Sequence, residues 1–168
     1  NSGESVSLSS DGSVVAIGAQ YNNSAGHVRV YQNVSGTWTQ VGDDIDGENM
    51  DDYSGYSVSL SSDGSFVAIG ATGDDLEGNA GHVRIYQNVS GTWTKVGDDI
   101  DGENVGDSSG YSVSLSSDGS VVAIGATGND GAGSNAGHVR VYKLYAPPLA
   151  PAPICFPAGT PVLTDQGE

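Results

Sequence analysis

Two acidic segments carry most of the chemistry open to this chain. Asp43-Asp44-Ile45-Asp46-Gly47-Glu48 returns as Asp98-Asp99-Ile100-Asp101-Gly102-Glu103, with further acids at Asp51, Asp52 and Asp107. Asp44, Asp46 and Glu48 alternate around a glycine, as do Asp99, Asp101 and Glu103, and such carboxylates could wrap a hard cation such as calcium, which takes several oxygen ligands. The competing reading is a solvated acidic turn. His27, His82 and His138 each precede an arginine by two positions, at Arg29, Arg84 and Arg140. In a strand each pair shares one face, so they read as a structural feature of a repeat rather than as a metal triad. Trp38 and Trp93 stand at equivalent positions, suited to packing or, less simply, to stacking on carbohydrate. Asn33-Val34-Ser35, Asn88-Val89-Ser90 and Asn22-Asn23-Ser24 are glycosylation sequons, so Asn33, Asn88 and Asn22 are candidate glycan sites.

Composition narrows the partners. The 168 residues hold 5 Lys+Arg against 21 Asp+Glu, a net charge of −16. Replacing counterions on a phosphate backbone takes clustered Lys and Arg, and five scattered ones exclude a nucleic-acid track. No apolar run reaches the roughly 20 residues of a membrane-spanning helix, so membrane insertion is not expected. The single cysteine, Cys155, excludes an internal disulfide and any multi-thiolate metal site. The chain opens at Asn1 with no basic start and apolar core, which reads as a processed protein or a piece of a longer one.

The elements that must position these residues come from an internal repeat. Ser9-Ser10-Asp11-Gly12 returns at 61–64 and 116–119, steps of 52 and 55, and the segment Ala25 to Tyr31 returns at 80–86 and 136–142. In the second repeat, β-branched and aromatic residues predict strands at Tyr56 to Leu60, Ser65 to Ala71, His82 to Gln87 and Thr92 to Val96, with Ser-Asp-Gly and Asn-Val-Ser-Gly as turns. Each repeat is then a four-stranded antiparallel unit, too thin to bury both faces alone, at the spacing of β-propeller blades. The spacing from Trp38 to Asp63 and from Trp93 to Asp118 is 25 in both cases, whereas the stretch from Ala19, Ala71 or Ala126 to the next histidine runs 8, 11 and 12. Length therefore varies only in the loops at Gln20 to Ser24, Thr72 to Asn79 and Thr127 to Asn135, which mark a candidate recognition rim.

Ser54-Gly55-Tyr56-Ser57-Val58, Ser109-Gly110-Tyr111-Ser112-Val113, Ile69-Gly70-Ala71-Thr72, Ile124-Gly125-Ala126-Thr127 and Gly81-His82-Val83-Arg84-Ile85-Tyr86 resemble the FG-GAP repeats of integrin-α-type propellers over 1–145. Calcium-binding members of that family carry an Asp-rich loop between the first two strands, where this chain has only Ser-Ser-Asp-Gly. All six prolines follow residue 145, and Cys155-Phe156-Pro157-Ala158-Gly159-Thr160 resembles the opening of a Hint domain, the self-processing module of inteins and hedgehog proteins. That resemblance implies a Cys155 thiol attacking the carbonyl of Ile154, with the activating groups of the family lying beyond Glu168.

The expected fold is all-β: about 2.75 four-stranded antiparallel blades of a β-propeller type (1–52, 53–107, 108–145) in an incomplete ring. A Pro-rich linker (146–154) and a Hint-like fragment (155–168) follow, and the tail is expected to lie against the repeats or a neighbour. The expected role is a non-enzymatic structural or adhesive module on an extracellular surface, a cell coat, filament or virion exterior. Its partners would be proteins or further copies completing the β array, with carbohydrate as a further candidate. Two other readings are propeller cargo of a precursor cleaved at Ile154-Cys155, and a calcium-dependent ligand-binding propeller.

Overall fold

A computed structural model describes residues 2–73 and 79–144. Alternating apolar and polar residues produce three antiparallel sheets, one per repeat. The first joins β1 (Ser5–Leu8), β2 (Val14–Ala19), β3 (His27–Val34), β4 (Thr37–Gln40) and β5 (Ile45–Asp46). The second repeats it with β6 (Ser54–Leu60), β7 (Phe66–Ala71), β8 (His82–Val89), β9 (Thr92–Lys95) and β10 (Ile100–Asp101). The third holds β11 (Ser109–Leu115), β12 (Val121–Ala126) and β13 (His138–Lys143). The all-β, blade-type reading is thus the observed fold, and the only helical turn among the described residues is a 3-10 turn at Asn22–Ser24.

The fourth strand of the second repeat, Thr92–Lys95, lies where expected, but an unexpected short piece follows it. The first repeat shows the same break: β4 pairs with Tyr31 to Val34 of β3, while β5 pairs with His27 and Val28. Gly42 and Gly97, both at φ 71–72°, lie in the break, a conformation that suits residues without a Cβ. The hairpins also run further into the predicted turns. Only Ser35-Gly36 and Ser90-Gly91 remain as loops, all four residues at positive φ, the two-residue turn that matches strand twist. Ser-Asp-Gly closes the first hairpin as expected, Asp11 Oδ1 accepting from Ser9 Oγ and from the Ser13 N–H. Those bonds hold the Asp11 carboxyl at about 2.

The blades stack face to face, and the core lies between them. Val14, Ala16, Val28 and Val30 of the first blade pack on Val58, Leu60, Val67 and Ile69 of the second. The second junction repeats this with Ala68, Val83 and Ile85 against Val122 and Ile124. Hydrogen bonds between the hairpin turns and between the inner strands of successive blades repeat too. Ser10 N–H donates to Ser62 O, and Ser62 N–H to Ser117 O. Ser5 Oγ donates to Gly55 O, and Ser57 Oγ to Gly110 O. Residues 145–168, with the expected linker, Cys155 and the expected tail contact, lie outside the described residues.

Candidate functional site

The acidic segments lie on the broken fourth strands, opposite the basic strands. Arg29 donates through Nε and Nη2 to the two carboxylate oxygens of Asp44 at 2.8 and 2.7 Å, and Gln40 adds a third bond at 2.8 Å. Arg84 makes the same fork with Asp99, where Lys95 also pairs. In both repeats arginine and aspartate are 15 residues apart, so the pair is built by the hairpin itself. The Arg29 guanidinium holds the Asp44 carboxyl down at about 2. Burial pushes Asp99 up, but Arg84 and Lys95 outweigh it and hold it at about 2 as well.

The six acids therefore do not gather as two triplets. Asp44 and Asp46 approach His27, with donor atoms within 4.8 Å of one another, and Asp46 pairs in register with His27 across the strands. Glu48 leaves that group and reaches the next blade, 3.0 Å from Arg84 Nη2. In the next repeat Asp99 is held by Arg84 and Lys95 and Asp101 pairs in register with His82, while Glu103 groups with Asp107 and His138. Glu103 also meets Arg140 of the third blade at 3.8 Å. The acid and base repeats, read separately in the sequence, are one feature: histidine and arginine face aspartates across β3–β5 and β8–β10. The constant 15-residue spacing was the signal.

Two buried acids carry a role that composition hid. Asp52 accepts from the N–H groups of Glu48 and Asn49, and Asp107 from the Asn104 N–H and Asn129 Nδ2. Both sit at the start of the next blade and fix its entry turn, which explains the invariant length of that connection. The sequon asparagines Asn33 and Asn88 use Oδ1 to accept from Gly36 and Gly91 N–H within the hairpin tips. Asn22 lies in the 3-10 turn. On the candidate rim Gln20 and Asn129 are buried and most of the other described residues exposed.

At the first junction these elements frame a groove of about 430 Å³, lined by Asp43, Asp44, Asp46, Tyr86 and Trp93. Trp93 forms its wall and fastens the blades, donating from Nε1 to Val41 O at 2.8 Å. Asp44 is committed to Arg29, so Asp43 and Asp46 are the carboxylates left to accept hydrogen bonds from a ligand, beside an aromatic wall. That combination suits a polyhydroxylated or cationic group.

No protein-family model and no curated protein matches the sequence. Solved structures do match by shape. A putative 6-phosphogluconolactonase from Bacteroides uniformis ATCC 8492 aligns with a TM-score of 0.56 at 16% identity, over 82% of this chain and 35% of that one. TolB from Acinetobacter baumannii aligns at TM-score 0.43 and 16% identity, over 83% of this chain and 32% of that one. The chain spans about a third of the length of these structures. The first match shares the fold and corrects one expectation. A protein described as an enzyme is built on these sheets, so the expectation of a non-enzymatic module, drawn from the repeat architecture, does not hold.

Proposed function

We propose that this chain is a structural and adhesive repeat module of an extracellular surface assembly, such as a cell coat, filament or virion exterior, built from FG-GAP-like blades. The observation that carries this reading is the division of labour within each repeat. The inner-edge hydrogen bonds of the two junctions repeat, whereas length varies only in loops on one rim, and an acidic, aromatic-walled groove opens between blades. A stiff scaffold with a variable edge is what surface recognition needs. The test is labelling of intact cells or particles carrying the protein, before and after surface protease. Label lost on shaving supports the reading, and a protein reached only after lysis ends it.

The alternative reading is propeller cargo of a Hint-type precursor cleaved at Ile154-Cys155, which the sequence Cys155-Phe156-Pro157-Ala158-Gly159-Thr160 favours. Mapping the C-terminus of native protein tests it, because cleavage at Ile154-Cys155 leaves Ile154 terminal and replacement of Cys155 by alanine abolishes it.

A further inference from the structure

The two outer faces of the stack are the two halves of the interface already seen twice inside it. On the first blade the outward face carries Val6, Leu8, Val15, Ile17, Tyr31 and Trp38. Position by position these match Val58, Leu60, Val67, Ile69, Tyr86 and Trp93, the set the second blade buries against the first. Leu60 is 7% exposed in that junction, while Leu8 is 60% exposed, and Val15, Ile17, Tyr31 and Trp38 line an apolar groove of about 310 Å³. On the third blade the outward face carries Val121, Ala123, Val139 and Val141, matching Val14, Ala16, Val28 and Val30 of the buried half. Val28 and Val30 are fully buried, whereas Val139 and Val141 are 68% and 66% exposed.

The polar groups match as well. Ser62 accepts from Ser10 N–H and donates its own N–H to Ser117, so Ser117 N–H and Ser10 O are the donor and acceptor for another step. Ser7 Oγ accepts from Leu60 N–H and Ser59 Oγ from Leu115 N–H, which makes Ser114 Oγ and Leu8 N–H the next such pair. A glycine gives independent support. A Cβ on Gly18 or Gly70 would overlap the carbonyl of Gly55 or Gly110 in the following blade, whereas a Cβ on Gly125 meets only atoms of Ser112 in its own sheet. None of the three adopts a left-handed φ, so close backbone approach is what requires glycine at the first two positions.

We propose that a second copy of this chain docks head to tail, its first blade stacking on β12 and β13 of the first copy. The contact is heterologous, since the surfaces that meet differ, and it propagates into a ring or a filament. Its chemistry is that of the internal junctions, with apolar burial between paired sheets and inner-strand hydrogen bonds. It rests on packing alone and stands whether or not the protein lies on a cell surface.

Sedimentation of the 168-residue chain, with Leu8→Asp and Val141→Asp variants, tests it. The unaltered chain is expected to gain mass with concentration. Each variant alone is expected to weaken association by roughly 30-fold or more, as loss of a central contact does. Both positions are solvent-exposed in the single chain, so unfolding midpoints at low concentration stay unchanged. The decisive arm is the mixture: Leu8→Asp keeps an intact third-blade face, Val141→Asp keeps an intact first-blade face, and together they form a 1:1 dimer that grows no further. A chain monomeric at every concentration overturns the proposal, as when residues 145–168 cover β13 instead. So do association indifferent to both substitutions and a mixture that stays monomeric.

Discussion

Arg84 and Arg29 hold the same place in successive repeats and grip the same aspartate, yet their surroundings differ. The side chain of Arg84 is 5% exposed and also meets Glu48 of the preceding blade; that of Arg29 is 41% exposed and meets its own hairpin. Trp93 and Trp38 differ in the same way: one is hydrogen-bonded to Val41 of the neighbouring blade, and the other lies open in the apolar groove. Local sequence builds the ion pair and places the indole, while stacking makes them structural. A covered junction and an uncovered face of one repeat are thus an internal control for each other.

The largest expected contrasts begin with the tryptophans. Trp93→Ala removes a half-buried ring and a bonded N–H, and is expected to cost about 2 kcal/mol in urea unfolding, whereas Trp38→Ala should cost under about 1 kcal/mol. Equal losses would mean that the junction does not discriminate between them. Next comes the glycine pair. Gly70→Ala forces a methyl against the Gly110 carbonyl and is expected to cost about 2 kcal/mol as overpacking, while Gly125→Ala meets only the Ser112 hydroxyl, which can rotate aside, and should cost under about 1 kcal/mol. A costly Gly125→Ala in dilute monomer would show that its glycine serves the sheet rather than an approaching blade.

Much of this was legible beforehand for a physical reason. The repeated Ser-Asp-Gly and Asn-Val-Ser-Gly turns constrain backbone geometry locally, so strand order and blade spacing followed from residue types alone. The short pieces beyond Gly42 and Gly97 were not legible, because Ile45–Asp46 and Ile100–Asp101 are only two residues long and sit in an acidic, glycine-containing run that carries no strand pattern of its own. The fates of Asp44 and Glu48 were hidden for another reason. Their partners, Arg29 in the hairpin and Arg84 in the next blade, are chosen by register and stacking, which a run of acids does not encode. Asp52 read as one more solvated acid because nothing in its neighbours announces burial.

The arginines offer a contrast of similar size. Arg84→Met takes the buried guanidinium from Asp99 and Glu48 and leaves them only the half-exposed Lys95, and is expected to cost about 2 kcal/mol, while Arg29→Met frees a more solvated aspartate and should cost under about 1 kcal/mol. A double variant with Asp99→Asn should recover part of the Arg84 loss, because the penalty comes largely from the stranded charge. No recovery would assign the loss to the arginine stem's packing instead.

The smallest effect is in pH dependence. Asp44 and Asp99 are both held at about 2 in the folded chain, below the roughly 3.9 of an unfolded aspartate. A carboxylate depressed on folding contributes stability that is complete above its unfolded value and is lost as pH falls toward its folded one. Unfolding free energy should therefore decline between about pH 4 and pH 2, with Asp11 and Asp118, held at about 2 by their serine turns, titrating in the same window. Asp44→Asn and Asp99→Asn should each flatten that decline. Added salt separates them: the Arg29–Asp44 pair is open to solvent and its share should fade with ionic strength, whereas the Arg84–Asp99 pair, roofed by the first blade, should keep most of its own. Urea unfolding at pH 2.5, 3.5 and 5, at low and high salt, reads this directly. If salt erases both contributions equally, stacking does not shield the second pair, and the distinction between covered and uncovered repeats is one of packing rather than electrostatics.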